Sequence, residues 1–147
     1  MRLLAPHAAS RTKRLVKTPK LYWTDAGLAA HLAGIEHGGE GSLRSALLEN
    51  LLLNQLDAWR ETLSPSPEVC FWRTSDGHEV DFVIEHRRRL LPIEVKSGTR
   101  IRDAELAPMR AFLADHPAAR FGLVAFGGDE VHAVARNILA VPIGRLL

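Results

Sequence analysis

The chain has a single cysteine, Cys70, in 147 residues, so no internal disulfide can staple it. Its seven histidines are scattered, and no Cys/His pairs stand at zinc-finger spacing. The reducing cytoplasm is the expected compartment. No run approaches the roughly 20 apolar residues of a membrane span, and the start lacks the contiguous apolar core of a signal peptide. A soluble intracellular protein with no membrane partner is therefore expected. The glycine-rich stretch EHGGEGS, residues 36–42, has no lysine after its last glycine, and no other stretch has the phosphate-loop pattern. This chain alone is not expected to hydrolyse ATP. Acidic residues are missing before Asp25, where Arg2, Arg11, Lys13, Arg14, Lys17 and Lys20 are all positive. Residues 1–20 thus read as a basic N-terminal arm suited to phosphate backbones, with Lys13, Arg14 and Lys17 its candidate contacts. A solvated terminal segment without a partner is the plain alternative.

The remainder is ordinary for a globular chain. Hydrophobic residues make up 46% and charged residues 24%, which argues against disorder, and the length suits one domain over residues 21–147. A short apolar element surrounds Tyr22 and Trp23. Thr24 or Asp25 then caps a short helix from Ala26 to about Leu32, closed by Gly34. The strongest helix spans Ser42 to about Glu61, with leucines at 43, 47, 48, 51, 52, 53 and 56. Asn50, Asn54, Asp57 and Glu61 form one polar stripe at helical spacing. Glu49 lies off that stripe, between the directions of Leu53 and Leu56, so a partly buried carboxylate is expected there. An unpaired buried charge is costly and needs a reason. Strands follow at VCFWRT and on both sides of HRRR, then a helix in DAELAPMRAFLADHP, a strand in RFGLVAF, and a last strand and packed terminus from VHAV and ILAVPIGRLL. The order predicts an α/β fold with helices on a mixed sheet.

Residues 79–96, EVDFVIEHRRRLLPIEVK, read as a hairpin with HRRR as its loop. A symmetric register opposes Asp81 to Glu94 and Glu79 to Lys96. One face then carries Glu79, Asp81, Glu94 and Lys96, with Val83 and Pro92 beyond them. The other carries Val80, Phe82, Ile84, Leu91, Ile93 and Val95 as the core side. Two ionised carboxylates at about 5 Å repel by roughly 1 to 3 kcal/mol, and a cation between them reverses the sign. Hard oxygen ligands of this kind select Mg2+ or Mn2+. The bland alternative is a solvated face on which Glu79 pairs with Lys96 while Asp81 leans toward Arg73 or a loop arginine.

A helix carboxylate (Glu49), a strand aspartate (Asp81) and a Glu-x-Lys on the next strand (Glu94, Lys96) together resemble the PD-(D/E)xK nuclease superfamily, over about Ser42 to Phe126. The motif is degenerate, and the order of the flanking elements adds to it. Over nearly the whole chain, KRLVKTPKLYWTDAGL, LLENLLLNQL, FWRTSDGHEVDFVIE and LPIEVKSG are similar to the uncharacterised C-terminal domain of a prokaryotic AAA-type ATPase family. The resemblance implies a restriction-endonuclease-like mixed sheet flanked by helices and a single nuclease-like domain at 21–147. It implies that Asp81, Glu94, the main-chain carbonyl of Val95 and Glu49 hold Mg2+ or Mn2+. Lys96 would orient or help deprotonate water, and Arg73 would contact a phosphate. The implied reaction is metal-dependent hydrolysis of DNA phosphodiesters. The alternatives are a nucleic-acid-binding accessory module of an AAA-type ATPase without turnover, and a purely structural or dimerising domain. Such domains follow an ATPase module and a winged-helix segment, both missing here, so the expected partner is a separate ATPase polypeptide or none at all. A homodimer would suit double-strand cleavage.

Overall fold

The computed structural model describes residues 1–7, 18–35 and 41–147. Lys13, Arg14 and Lys17 lie outside the described residues, as does most of the glycine-rich loop. The elements run β1 (Arg2–Leu4), β2 (Lys20–Tyr22), α1 (Ala26–Leu32), α2 (Gly41–Arg60), β3 (Glu68–Arg73), β4 (Glu79–His86), β5 (Arg89–Lys96), a 3-10 turn (Asp103–Leu106), α3 (Ala107–Asp115), β6 (Gly122–Phe126), β7 (His132–Ala135), β8 (Ile138–Pro142) and a closing 3-10 turn (Ile143–Arg145). Among the described residues β1 and β2 make a separate antiparallel pair, and the other strands form a six-stranded sheet ordered β3-β4-β5-β6-β8-β7. Pairing is antiparallel at β3-β4-β5 and β8-β7, and parallel at β5-β6-β8, so the sheet is mixed. Among the described residues no helix is long and apolar enough to cross a membrane.

Helices cover both faces of the sheet. On one, Leu52 and Leu53 of α2 pack with Phe71, Phe82, Ile84, Ile93 and Val95. On the other, Phe112 of α3 packs with Trp72, Val80 and Val83, while Met109 meets Val124, Phe126 and Ile138. Parallel strands buried on both sides explain why β6 is a continuous apolar run. The expected single core face of the hairpin is corrected on this point. Val80 lies with Val83 against α3 instead of sharing a face with Phe82, and Val83 is fully buried instead of flanking the carboxylates.

A bulge causes the change of phase. Between the pairs Cys70↔Val83 and Trp72↔Val80, β3 advances two residues while β4 advances three. The extra residue falls at Asp81 and Phe82, so side chains before and after it swap faces.

The β4–β5 register is the expected one where the strands pair. Phe82↔Ile93, Ile84↔Leu91 and His86↔Arg89 are opposed. The loop is tighter than HRRR: His86 and Arg89 belong to the strands, and Arg87 and Arg88 alone make the turn, at φ of 50° and 64°. Two consecutive left-handed residues fit the right-handed twist of a two-residue hairpin, although arginine adopts that conformation at a cost.

The N-terminal hairpin departs from the expected free arm. Arg2 of β1 is ion-paired with Asp57 of α2, and Leu4 and Tyr22 enter the α2-side core. The polar stripe on α2 is its dock. Asn50 is buried, its Oδ1 accepting from the Trp23 amide and its Nδ2 donating to the Trp23 carbonyl, both at 2.8 Å. Asn54 donates to the Thr24 carbonyl. Asp25 caps α1 by accepting from the Leu28 amide at 2.8 Å.

Candidate functional site

The backbone ladder of the β4–β5 hairpin stops at Phe82↔Ile93, and the carboxylates gather beyond it. Asp81 and Glu94 are not a paired rung. In place of a backbone carbonyl, Asp81 offers its own carboxylate, whose Oδ2 accepts from the Val95 amide at 2.8 Å. A residue's N–H and C=O leave a strand on the same side, so the Val95 carbonyl is also directed toward β4. The Asp81 side chain is only 13% exposed.

Glu94 is buried too. Its Oε1 takes the Lys96 ammonium at 2.8 Å, while Oε2 is buried and makes no hydrogen bond of normal geometry among the described residues. Burial comes first in raising the Asp81 carboxyl well above its ordinary range, followed by repulsion from Glu94 and Glu49; Lys20 and the Val95 amide oppose it. Burial likewise raises Glu94, against the pull of Lys96 and, more weakly, of the Asp81 backbone amide. The same charges hold the Lys96 ammonium above its ordinary value, burial opposing. Expected as the partner of Glu79, Lys96 instead pairs with Glu94 because the two strands have parted by that level.

Glu49 reaches the cluster from α2, half-buried as expected, and the reason for its burial comes from the N-terminal hairpin. Lys20 donates to its Oε1 at 2.9 Å, and the Tyr22 hydroxyl donates to the same oxygen. The Lys20 ammonium is also paired with Glu79 and lies 3.6 Å from Asp81 Oδ1. Glu79 holds a second cation, Arg73 Nε at 2.5 Å, directly across the β3–β4 ladder. Although burial works against it, these two cations keep the Glu79 carboxyl below its ordinary value. Arg73, expected to reach a phosphate, is engaged in this pair.

The structure thus brings Glu49, Asp81, Glu94, Val95 and Lys96 into one neighbourhood, with Arg73 at its edge. Four carboxylates (Glu49, Glu79, Asp81, Glu94) face three cations (Lys20, Arg73, Lys96). Among the described residues no three carboxylate, histidine or cysteine groups converge as a preformed metal cage. Lys20 stands where three of the carboxylates meet. The donors present still suit a hard divalent cation: they are all oxygens, and one of them is buried without a hydrogen bond of normal geometry.

Sequence reasoning missed Lys20 and Tyr22 as members of the site. Both were legible in one respect, since two residues apart on a strand places them on one face. The uninterrupted basic run around Lys20 masked it.

Two segments hold the strand end in place. The Ser45 hydroxyl of α2 and that of Ser97, the residue after Lys96, are 2.8 Å apart. Gly127 packs so close that an added Cβ would stand 2.7 Å from the Ser97 carbonyl. Glycine is required there for close approach of two backbones.

The chain is 30% identical over its whole length to the uncharacterized protein Rv2008c of Mycobacterium tuberculosis and, to the same degree, to the uncharacterized protein Mb2031c of Mycobacterium bovis. It spans about a third of the length of these curated relatives, 32% of each. A family model described as "Domain of unknown function (DUF4143)" matches residues 44–146, which takes in α2 from Arg44 onward, the whole six-stranded sheet and every carboxylate of the cluster, and the chain belongs to that family.

Proposed function

We propose that the domain is a PD-(D/E)xK nuclease-like module that hydrolyses DNA phosphodiesters with a divalent metal. One observation supports this above the others: Glu94 Oε2 is buried without a hydrogen bond of normal geometry beside Asp81, with Lys96 two residues on from Glu94. A buried carboxylate oxygen left unpaired is expensive unless a cation is its intended partner. Asp81, Glu94, the Val95 carbonyl and Glu49 would hold Mg2+ or Mn2+. When bound, that ion would polarise a phosphoryl oxygen and lower the pKa of a water.

The chain's own residues supply the remaining chemistry. Lys96, held by Glu94, orients the attacking water and offsets the negative charge that develops on phosphorus. The Val95 amide fixes the Asp81 carboxylate in one orientation, so the ligand set is arranged before substrate arrives. Arg73 can turn from Glu79 toward a phosphate of the duplex, since its side chain is 34% exposed. Lys13, Arg14 and Lys17 would add sequence-independent backbone contacts.

The test is cleavage of supercoiled plasmid, single-stranded DNA and a branched junction in Mn2+, beside Asp81→Ala and Lys96→Ala. Cleavage by the parent that both substitutions abolish supports the reading, and cleavage that survives both removes it. A second reading, a nucleic-acid-binding accessory domain working with an AAA-type ATPase and without turnover, is favoured by the lysine among the carboxylates. Salt-sensitive binding without cleavage supports it.

A further inference from the structure

Lys20 holds the oxygens that a metal would need. Its Nζ is hydrogen-bonded to Glu49 Oε1 at 2.9 Å, is paired with Glu79, and lies 3.6 Å from Asp81 Oδ1, with the side chain 15% exposed. The Glu94 oxygen that remains without a hydrogen bond of normal geometry is one that this ammonium does not take. An ammonium is a compact point charge with three donors, so it satisfies the same hard oxygens as a divalent cation and excludes it by charge and by volume.

Lys20 carries its charge on a flexible side chain that can let go while its strand stays docked. Asn50 holds Trp23 by two hydrogen bonds, Tyr22 enters the core, and the backbone of Ala5 and His7 is bonded to Phe71, but the ammonium itself sits at the end of a four-carbon stem. Lys20 and Glu49 both line a cleft of about 360 Å3, bordered by Leu21, Trp23, Leu43 and Leu47, so open space adjoins the pair and the side chain is not walled in.

We propose that Lys20 is a tethered counter-ion that competes with the divalent metal for Glu49 and Asp81, so that its side chain gates the metal site. The proposal rests on the metal-site reading above and adds its regulation. Apparent metal affinity is then the intrinsic affinity reduced by the fraction of molecules with Lys20 withdrawn. Anything that draws Lys20 away, a phosphate backbone being the obvious anion, would load the site. The gate would therefore couple cation uptake to substrate arrival.

Calorimetric titration of the full chain with MnCl2, with melting curves in EDTA and in Mn2+, tests this on the parent, Lys20→Met, Lys20→Arg and Glu94→Gln. Lys20→Met is expected to bind Mn2+ roughly tenfold tighter than the parent and to regain in Mn2+ the melting temperature it loses in EDTA. Lys20→Arg keeps the charge and is expected to retain parental affinity, and Glu94→Gln to lose binding. If Lys20→Met does not fold in EDTA, the gate requires that millimolar Mn2+ restore its structure; failure to do so while the parent binds Mn2+ overturns it. Equal Mn2+ affinity in the parent and Lys20→Met, with binding lost in Glu94→Gln, overturns the gate and leaves the metal site standing. No binding by any variant overturns both.

Discussion

The two ends of the β4–β5 hairpin are built to opposite rules. At the closed end, Arg87 and Arg88 alone reverse the chain, and five consecutive residue pairs from His86↔Arg89 to Phe82↔Ile93 keep one register. Backbone hydrogen bonds and apolar contacts settle everything there. At the open end a bulge in β4 breaks the phase, the ladder stops, and side chains take over the pairing: Asp81 accepts from Val95 and Lys96 reaches back to Glu94. The closed end is where the hairpin gains stability. The open end, with its buried and mutually repelling carboxylates, is where stability is given up.

Substitutions can break this contrast or sharpen it. The largest effect is expected at the last paired rung. Phe82 is fully buried, and Phe82→Ala should lower stability by about 3 to 5 kcal/mol in urea unfolding, because a ring-sized void opens between α2 and the sheet. Past that rung the sign should reverse. Asp81→Asn keeps an acceptor for the Val95 amide but removes one of the mutually repelling charges, so without metal its melting temperature should rise by about 3 °C. If the carboxylates hold a metal as proposed, the parent should melt higher in Mn2+ and this variant should not. At the turn, replacing Arg87-Arg88 by Asn-Gly relieves two left-handed arginines and should raise stability by about 1 kcal/mol in urea unfolding. This change should leave Mn2+ binding untouched, since it lies at the far end.

A smaller effect is expected at Cys70, on β3 opposite Val83. Burial, with help from Glu85 and Glu68, pushes its thiol up to about 12. The native state therefore keeps a proton that an unfolded cysteine loses at about 8.5. Its contribution to stability is complete below the unfolded value and is lost as pH rises through the folded one. Thiol-reagent labelling at pH 8 should accordingly be far slower for native than for urea-unfolded protein.

Much of this was readable from the residue pattern. The sequence of helix, three strands, helix and strand from α2 to β6, the register at Phe82 and Ile93, and the helix from about residue 42 to 60 follow from periodicity and turn residues alone, whereas β1 and the placing of β8 between β6 and β7 do not. The half-burial of Glu49 follows from its angle on α2. What periodicity could not show was the bulge, since a single extra residue at Asp81 and Phe82 leaves the apolar spacing of β4 looking regular. Nor could it show that α2's polar stripe docks another segment, because asparagines that bind a backbone and asparagines that bind water have the same spacing. Lys20 was hidden by composition: a cation in a basic run gives no local sign that its partners lie 29 and more residues away.

The double hydrogen bond from Asn50 to Trp23 has a consequence for the order of folding. One amide side chain on α2 stands in for a neighbouring strand, so β2 finds its edge only after α2 is in place, across 27 residues of sequence. The β4–β5 hairpin closes over a two-residue turn and needs no such wait. The acidic end of the sheet is thus expected to assemble first and to spend the interval bare, with the N-terminal lysine arriving last to cover it. Pulse-labelling hydrogen exchange would show this as protection of Phe82 and Ile93 before Trp23, and the reverse order would show that the lysine is in place from the start.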